Sequence, residues 1–376
     1  MGRPWVGHES WELVEEATDV VGRPIDKLLL EAEAEELRDT RNAQLTTFIS
    51  SLVVLDAVER LGLEADICAG HSLGEYTALV ATGAIEFAEG IQLVAARAEA
   101  MHAAGQAKSG TMAAVLGLED ELVEVSCRLV DDEVWIANYN APGQVVIAGT
   151  EPAVAAATAS AKALGAKRVM PLHVSGAFHT PLMRSAREDL RAAIGRADLR
   201  DPEVPVIANI DGLPHEQGDE WPGLLSAQLC NPVRWRQAMS ELFKLGTKDI
   251  VEIGPGGVLT GMARRAIPDA RAISIATPED LDKLLAWVTA DGPTTDPQVD
   301  GEHLFASERM VVSPCAGIFE PAPSMTEGTS IDVGTVVGRV GDRDVVSPFA
   351  GTLQGFIAVA TERVMARQPI AWLRKD

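Results

Sequence analysis

The segment Gly70-His71-Ser72-Leu73-Gly74 places a serine where a short apolar run meets a helical stretch. Residues 66–69 predict a buried strand and residues 75–81 predict a helix. We expect the tight turn to require the glycines on both sides of the serine, and to leave its hydroxyl exposed above a helix N-terminus. The backbone N–H of Leu73 would then donate to an oxyanion formed beside Ser72. The segment therefore predicts a nucleophilic serine.

A nucleophilic serine needs a base, and the chain has seven histidines. Four of them lie in polar or loop-like contexts without a supporting motif, namely His8, His102, His215 and His303. His71 adjoins the serine on the turn, where its side chain would point elsewhere. His173 and His179 remain, and His179 follows a predicted strand end, from which an imidazole can reach a serine at another strand end. Spacing alone leaves open that His179 is a solvated loop residue.

Composition limits the classes of partner. The chain of 376 residues carries a net charge of −23 and has a pI of about 4.7. This charge argues against nucleic acid and against anionic membrane surfaces. Four scattered cysteines lack both metal spacing and a paired framework: Cys68, Cys127, Cys230 and Cys315. This cysteine pattern predicts no metal site. The sequence also shows no signal peptide and no membrane-spanning run, so we expect a cytoplasmic protein.

Residues 1–290 alternate between short β-branched runs and alanine-rich helical stretches, which predicts an α/β domain. Helices are predicted over 91–104, 151–164 and 180–194, and strands over 204–210 and 249–253. Four further strands are predicted over 112–118, 134–138, 145–148 and 168–174. Helical stretches lie between the first two and between the last two of these strands, which is the β-α-β-β-α-β order of a ferredoxin-like unit. We expect this unit, at about 110–175, to be an insertion in the larger domain.

The C-terminal region carries an internal repeat. A segment rich in Pro, Asp, Gly and Thr breaks the α/β pattern and predicts a linker over 291–308. Beyond it, Val311-Val-Ser-Pro-Cys-Ala-Gly317 returns as Val345-Val-Ser-Pro-Phe-Ala-Gly351, 34 residues later. Two copies of a small β unit predict a compact all-β domain with pseudo-twofold symmetry over 309–376.

Five motifs carry a resemblance to a known family. They are Gly70-His-Ser-Leu-Gly-Glu-Tyr76, Asn140-Ala-Pro-Gly-Gln-Val-Val-Ile-Ala-Gly149, Gly176-Ala-Phe-His179, Gln228-Leu-Cys-Asn-Pro-Val-Arg-Trp235 and Glu252-Ile-Gly-Pro-Gly-Gly-Val-Leu-Thr-Gly261. In this order they resemble malonyl-CoA:acyl carrier protein transacylases and the related acyltransferase domains of fatty acid and polyketide synthases. The resemblance covers nearly all of residues 1–290. It implies an α/β-hydrolase-like core that carries a ferredoxin-like subdomain.

The resemblance also implies residue roles. Ser72 is expected to be the nucleophile and His179 the general base and acid. The backbone carbonyl of Gln228, rather than a carboxylate, is expected to orient the histidine. Arg97, on the predicted helix 91–104, matches the arginine that binds the free carboxylate of malonyl. A guanidinium suits that task because it forms two parallel hydrogen bonds with a carboxylate.

The implied reaction transfers malonyl from malonyl-CoA to the phosphopantetheine thiol of an acyl carrier protein, through an acyl-serine, with no covalently bound cofactor. Leu73 and Phe178 stand where related domains that prefer methylmalonyl tend to carry other residues, which favours malonyl. The sequence leaves open whether the pathway makes fatty acids or polyketides. A serine thioesterase or lipase-like hydrolase remains an alternative, because such enzymes share the Gly-x-Ser-x-Gly turn.

The N-terminal region departs from the family pattern. The family begins with a short hydrophobic strand and a Phe-Pro-Gly-Gln-Gly-like loop, whose glutamine N–H completes the oxyanion hole. This chain starts Met1-Gly-Arg-Pro-Trp5, which resembles the sequence just after that loop. Loss of one oxyanion donor costs about 3 to 4 kcal/mol of transition-state stabilisation. We expect upstream coding sequence to supply the strand; the alternative is a truncated, non-catalytic protein that binds acyl carrier protein.

The C-terminal repeat resembles biotinyl/lipoyl carrier domains, in which a hairpin presents a modifiable lysine. The joining hairpin here is Val340-Gly-Asp-Arg-Asp344, without a lysine. The only lysine after Glu302 is Lys375, at the extreme C-terminus. We therefore expect neither biotin nor lipoate to be attached, and expect the domain to serve docking or spacing.

Overall fold

The computed structural model describes residues 1–172, 174, 176–267, 270–291, 301–305, 308–364 and 369–374. The fold is mixed α/β, and the chain divides into two compact units. The first unit comprises Met1–Leu55 and Ala65–Asp280, and the second comprises Asp56–Glu64 and Leu281–Asp376.

The first unit begins with a helical region that leads to the turn at Ser72. Its elements are α1 (Glu12–Val21), α2 (Ile25–Leu30), α3 (Ala34–Arg38), α4 (Thr40–Glu59), β1 (Cys68–Ala69), α5 (Gly74–Ala81) and α6 (Phe87–Ala107). The i, i+4, i+7 spacing of Leu45, Ile49 and Leu52 places three side chains, each at most 2% exposed, on one side of α4. This apolar stripe explains why so long a segment is helical.

An antiparallel sheet of four strands follows. Its elements are β2 (Thr111–Leu116), α7 (Asp120–Arg128), β3 (Val134–Ala141), β4 (Gln144–Gly149), α8 (Glu151–Ala163) and β5 (Arg168–Leu172). The strand order is β3-β4-β2-β5, and α7 and α8 contact each other and the sheet. Val115, Val145 and Ile147 are fully buried in a core shared with both helices. His173, a residue of the predicted strand 168–174, lies outside the described residues.

The next part of the chain contains the strands that pair in parallel. The elements are α9 (Arg184–Ile194), β6 (Val206–Ile207), β7 (Pro214–His215), α10 (Trp221–Gln228), α11 (Trp235–Lys244), β8 (Asp249–Ile253), α12 (Val258–Ala266), β9 (Arg271–Ile275) and α13 (Pro278–Asp291). β1 pairs in parallel with β6, and β8 pairs in parallel with β9. Because parallel strands end at the same edge, the residues that follow β1 and β6 lie close together.

The second unit contains two antiparallel sheets. Their strands are β10 (Gly301–Phe305), β11 (Glu308–Val312), β12 (Gly317–Pro321), β13 (Ser330–Ile331), β14 (Val336–Val340), β15 (Arg343–Val346), β16 (Gly351–Phe356), β17 (Arg363–Val364) and β18 (Pro369–Arg374). The sheet orders are β10-β11-β18-β16-β13 and β15-β14-β12-β17. The repeat has matching local structure, since Ser313 Oγ donates to Cys315 O and Ser347 Oγ donates to Phe349 O, at 2.6 and 2.8 Å.

Strand β10 lies inside the segment 291–308 that the sequence predicted to be a linker. Its antiparallel pairing with β11 supplies backbone hydrogen bonds that local composition does not predict. Residues 292–300 and 306–307 of that segment lie outside the described residues, as does Lys375. The predicted hairpin is formed by β14 and β15, with Val340 opposite Arg343.

Candidate active site

The backbone at Ser72 adopts a left-handed conformation with φ of 53°. Non-glycine residues rarely adopt this conformation, which costs about 1 to 3 kcal/mol and clusters at functional sites. A Cβ on Gly70 would lie 1.9 Å from the Gly74 backbone, so the turn can close only with glycine at position 70. A Cβ on Gly74 would meet nothing within 4 Å. The expectation that the turn needs both glycines is therefore wrong for Gly74, whose open side faces free space.

The hydroxyl of Ser72 lies against the imidazole of His179. Ser72 Oγ is 2.7 Å from His179 Nε2, and His179 Nδ1 is 2.9 Å from the backbone oxygen of Gln228. A carbonyl oxygen can only accept, so Nδ1 carries the proton and Nε2 presents its lone pair to the serine. Ser72 therefore donates its hydroxyl proton to a histidine already held in the tautomer of a base. The orienting partner is a carbonyl and not the carboxylate of a hydrolase triad.

The local structure of His179 fixes its ring. Its backbone is also left-handed, with φ of 60°, and the side chain is 4% exposed. The neighbouring Thr180 closes the turn, because its hydroxyl donates to Ala177 O and accepts from the N–H of Leu182. Burial and, to a smaller extent, the positive charge of Arg97 together lower the pKa of His179 from 6.5 to about 3. The imidazole is therefore neutral at neutral pH.

Arg97 projects from α6 into the same site and is 1% exposed. Its Nη2 donates to Ser72 Oγ at 3.0 Å and to Gln228 Oε1 at 2.9 Å, while Nη1 donates to Gln44 Oε1. The guanidinium also stacks over the ring of Tyr76, 5.5 Å from its centroid. Among the described residues the Nε atom of Arg97 is buried without a hydrogen-bond partner. A buried cation with an unused donor beside the Ser72 hydroxyl suits an anionic group.

Two polar residues that the sequence analysis did not single out connect the turn at Ser72 to the rest of the site. Asn209 follows β6, accepts from the N–H of Ser72 at 2.7 Å and donates to Gly70 O at 2.7 Å. Glu75, 1% exposed on α5, accepts from the Asn209 N–H and from the Gln228 side chain, each at 2.6 Å. In the sequence, Glu75 could have been found as a site residue from its place in the first motif. Asn209 could have been found from its place directly after an apolar run.

Three further residues named from the sequence lie beside this hydrogen-bond network, namely Leu73, Phe178 and His71. Leu73 is the residue before α5, and among the described residues its backbone N–H has no hydrogen-bond partner, so it is free to donate to an oxyanion. Phe178 precedes His179 but packs its partly buried ring against an apolar cluster that includes Ala177. The partner of His71 is Asn140, whose Oδ1 is 2.9 Å from His71 Nε2.

Among the described residues, no group of three or more His, Cys, Asp or Glu side chains could hold a metal ion. In that same part of the chain, none of the helices is both long and apolar enough to cross a bilayer.

This geometry occurs in a chain that is similar to known proteins over its first three quarters. Residues 6–278 match the family model described as an acyl transferase domain. The chain is 38% identical to the malonyl CoA-acyl carrier protein transacylase of Bacillus subtilis, over 72% of this chain and 86% of the relative. It is 36% identical to the Escherichia coli protein of the same name, over 72% of this chain and 89% of that one.

Solved structures are similar over the same region. An acyl carrier protein S-malonyltransferase from Vibrio cholerae superposes with a TM-score of 0.72 at 34% identity, covering 75% of this chain and 94% of that chain. A malonyl-transacylase solved in complex with a type II polyketide synthase acyl carrier protein superposes with a TM-score of 0.71 at 35% identity. That alignment covers 74% of this chain and 91% of the other.

Proposed function

We propose that this chain, which belongs to the acyltransferase family of malonyl CoA-acyl carrier protein transacylases, transfers a malonyl group from coenzyme A to an acyl carrier protein. The observation that carries the proposal is the buried guanidinium of Arg97, 3.0 Å from the nucleophilic oxygen of Ser72. A malonyl thioester is the substrate that brings a carboxylate to that point.

In the first half-reaction, Ser72 Oγ attacks the thioester carbonyl of malonyl-CoA and His179 Nε2 takes the hydroxyl proton. The tetrahedral oxyanion accepts a hydrogen bond from the N–H of Leu73. Collapse breaks the carbon–sulfur bond, and the imidazolium returns its proton to the departing CoA thiolate. The product is a malonyl ester on Ser72 with a neutral His179.

Arg97 binds the distal carboxylate of the malonyl group. In the malonyl ester of Ser72, three bonds separate the serine oxygen from the carboxylate carbon, so the carboxylate reaches the guanidinium beside Oγ. Acylation also removes the serine hydroxyl that Nη2 contacts in the free protein. Nη2 and the unpartnered Nε can then hold the two carboxylate oxygens in parallel. An acetyl group offers no such partner, which gives selectivity for malonyl.

The second half-reaction runs the same steps in reverse. His179 takes the proton of the phosphopantetheine thiol on the acyl carrier protein, and the resulting sulfur nucleophile attacks the ester carbonyl. The carbon–oxygen bond to Ser72 breaks, and His179 returns the proton to the serine. Both halves exchange a thiol for the serine oxygen at one carbonyl, so one site serves both.

We further propose an α/β-hydrolase-like core that carries a ferredoxin-like subdomain over about 110–175, within a transferase domain of residues 1–290. The β-α-β-β-α-β order of β2 to β5 supports the subdomain. A biotinyl/lipoyl-like C-terminal domain is supported by the matched serines of its repeat and by the hairpin of β14 and β15. The four cysteines are free, which agrees with a cytoplasmic location.

Arg97→Ala tests the proposal. We expect malonyl transfer to fall by much more than acetyl transfer, because only malonyl carries a second carboxylate. Loss of one charge-assisted contact of about 2 to 3 kcal/mol corresponds to roughly a hundredfold change in the malonyl-to-acetyl ratio of kcat/KM. Equal loss for both substrates would show that Arg97 has a structural role only.

A further inference from the structure

The side-chain amide of Gln228 has a single hydrogen-bonding orientation. Its Nε2 donates to Glu75 Oε2 at 2.6 Å and to the backbone oxygen of Ser72 at 2.8 Å, which uses both hydrogens. Its Oε1 accepts from Arg97 Nη2 at 2.9 Å. An arginine can only donate and an ionised carboxylate can only accept, so these two partners fix which end of the amide faces which.

Glu75 and the Ser72 carbonyl are the two acceptors that hold the amide nitrogen, and of these two only Glu75 can change from acceptor to donor. One oxygen accepts from the backbone N–H of Asn209 and the other accepts from Gln228, so both oxygens must act as acceptors. Only the ionised carboxylate satisfies both donors fully, because a protonated oxygen becomes a donor itself. If Glu75 were neutral or an amide, the Gln228 nitrogen would keep only the Ser72 carbonyl as an acceptor, and the amide could more easily turn over and present its nitrogen to the guanidinium. Arg97 would then lose an acceptor that holds it beside Ser72.

We propose that Glu75, as an ionised carboxylate, is a positioning residue that fixes the Gln228 amide and thereby holds Arg97 in place for the substrate carboxylate. This inference rests on the proposed role of Arg97 in binding malonyl. Glu75 touches neither substrate nor reacting atoms; it acts through Gln228. Glu75 also connects the two residues that hold the reacting side chains. Asn209 binds the backbone N–H of Ser72, and Gln228 orients His179.

The surroundings of Glu75 set the pH at which its carboxyl group ionises. The pKa of Glu75 is raised from 4.5 to about 7, mainly by burial and in the same direction by the negative charge of Asp211, after β6. Hydrogen bonds from Asn209 and Gln228 and the positive charge of Arg97 on α6 oppose the rise. Tyr76, the next residue on α5, is neutral in this range because burial raises its pKa. Glu75 is therefore ionised above about pH 7 and protonated below it.

The test compares Glu75→Gln with wild-type protein and with Glu124→Gln, using malonyl-CoA and acetyl-CoA as donors to the same acyl carrier protein. Glu124 is a matched control because its carboxylate also accepts a side-chain hydrogen bond, from Tyr139, but lies outside the site. For Glu75→Gln we expect the malonyl-to-acetyl ratio of kcat/KM to fall roughly tenfold, mainly through KM for malonyl-CoA. Glu124→Gln should keep the wild-type ratio. Equal loss of both activities, or an unchanged ratio, would overturn the proposal.

The wild-type pH profile keeps the test decisive if Glu75→Gln fails to fold. The ratio for wild type should fall as the pH drops through about 7, and a ratio that is constant across this range would contradict the proposal. Arg97→Ala separates this inference from the proposed function. If Arg97→Ala loses selectivity while Glu75→Gln keeps it, the inference alone fails. If Arg97→Ala also keeps it, the proposed function fails.

Discussion

Ser72 and His179 share an uncommon backbone conformation, with φ of 53° and 60°, and their side chains meet at 2.7 Å. Thr361, in the second unit, is the only other described non-glycine residue with positive φ. Each left-handed residue costs free energy of folding that the surrounding hydrogen bonds must offset. Here Asn209 holds the N–H of Ser72, and the Gln228 carbonyl holds the ring of His179. The coincidence of strain and contact supports the proposal that these two residues carry the chemistry.

Ser72→Ala should abolish the acyl-enzyme, because the variant lacks the hydroxyl oxygen that contacts His179 Nε2. The measurement is covalent incorporation of radiolabelled malonyl after incubation with malonyl-CoA and denaturing separation. Ser10→Ala, which alters a buried serine remote in sequence, serves as the control and should incorporate label as wild type does. Label retained by Ser72→Ala would show that another group is the nucleophile.

The pH dependence of acylation should reveal the low pKa of His179. In the proposed mechanism the neutral imidazole is the active form, and burial together with Arg97 lowers the pKa of His179 to about 3. Acylation by acetyl-CoA should therefore persist well below pH 6.5, where an ordinary histidine would be protonated. In Arg97→Gln the acid limb should move to higher pH, because removal of the cation stabilises the imidazolium. Both expectations are checked by measuring the burst release of CoA across the pH range. An acid limb of the wild-type profile at pH 6.5 or above would contradict the first expectation. An acid limb that does not move in Arg97→Gln would contradict the second.

The two glycines of the turn should respond differently to alanine. At Gly70 the new Cβ would lie 1.9 Å from backbone atoms of Gly74, which no side-chain rotation can relieve, so we expect destabilisation of about 3 kcal/mol or more. At Gly74 the Cβ meets open space at the start of α5, so alanine should stabilise by up to about 1 kcal/mol. Urea unfolding midpoints of the two variants provide the comparison. Similar losses of stability in both would show that the close approach at Gly70 is not what the turn requires.

The sequence predicted the local elements of the transferase unit better than the network that connects them. Strand 249–253 and the helix at α8 follow from periodicity and composition, which act locally. The roles of Glu75 and Asn209 could not be predicted that way, because a buried carboxylate and a buried amide acquire partners only when β1 and β6 align. The strand β10 was missed for the same reason, since its partner β11 supplies the pairing. Local sequence patterns do not predict hydrogen bonds between residues that are far apart in the chain.

The C-terminal domain should remain without a prosthetic group. The hairpin of β14 and β15 turns at Gly341-Asp342 and offers no amine for an amide bond to biotin or lipoate. We expect intact-mass spectrometry, after co-expression with biotin and lipoate ligases, to show the unmodified chain of 39.9 kDa. A bona fide carrier domain expressed in the same cells should gain the mass of its cofactor, which establishes that the ligases are active. If this chain gained the mass of either cofactor, with the modification mapped to a peptide after residue 309, the hairpin would have to be reinterpreted.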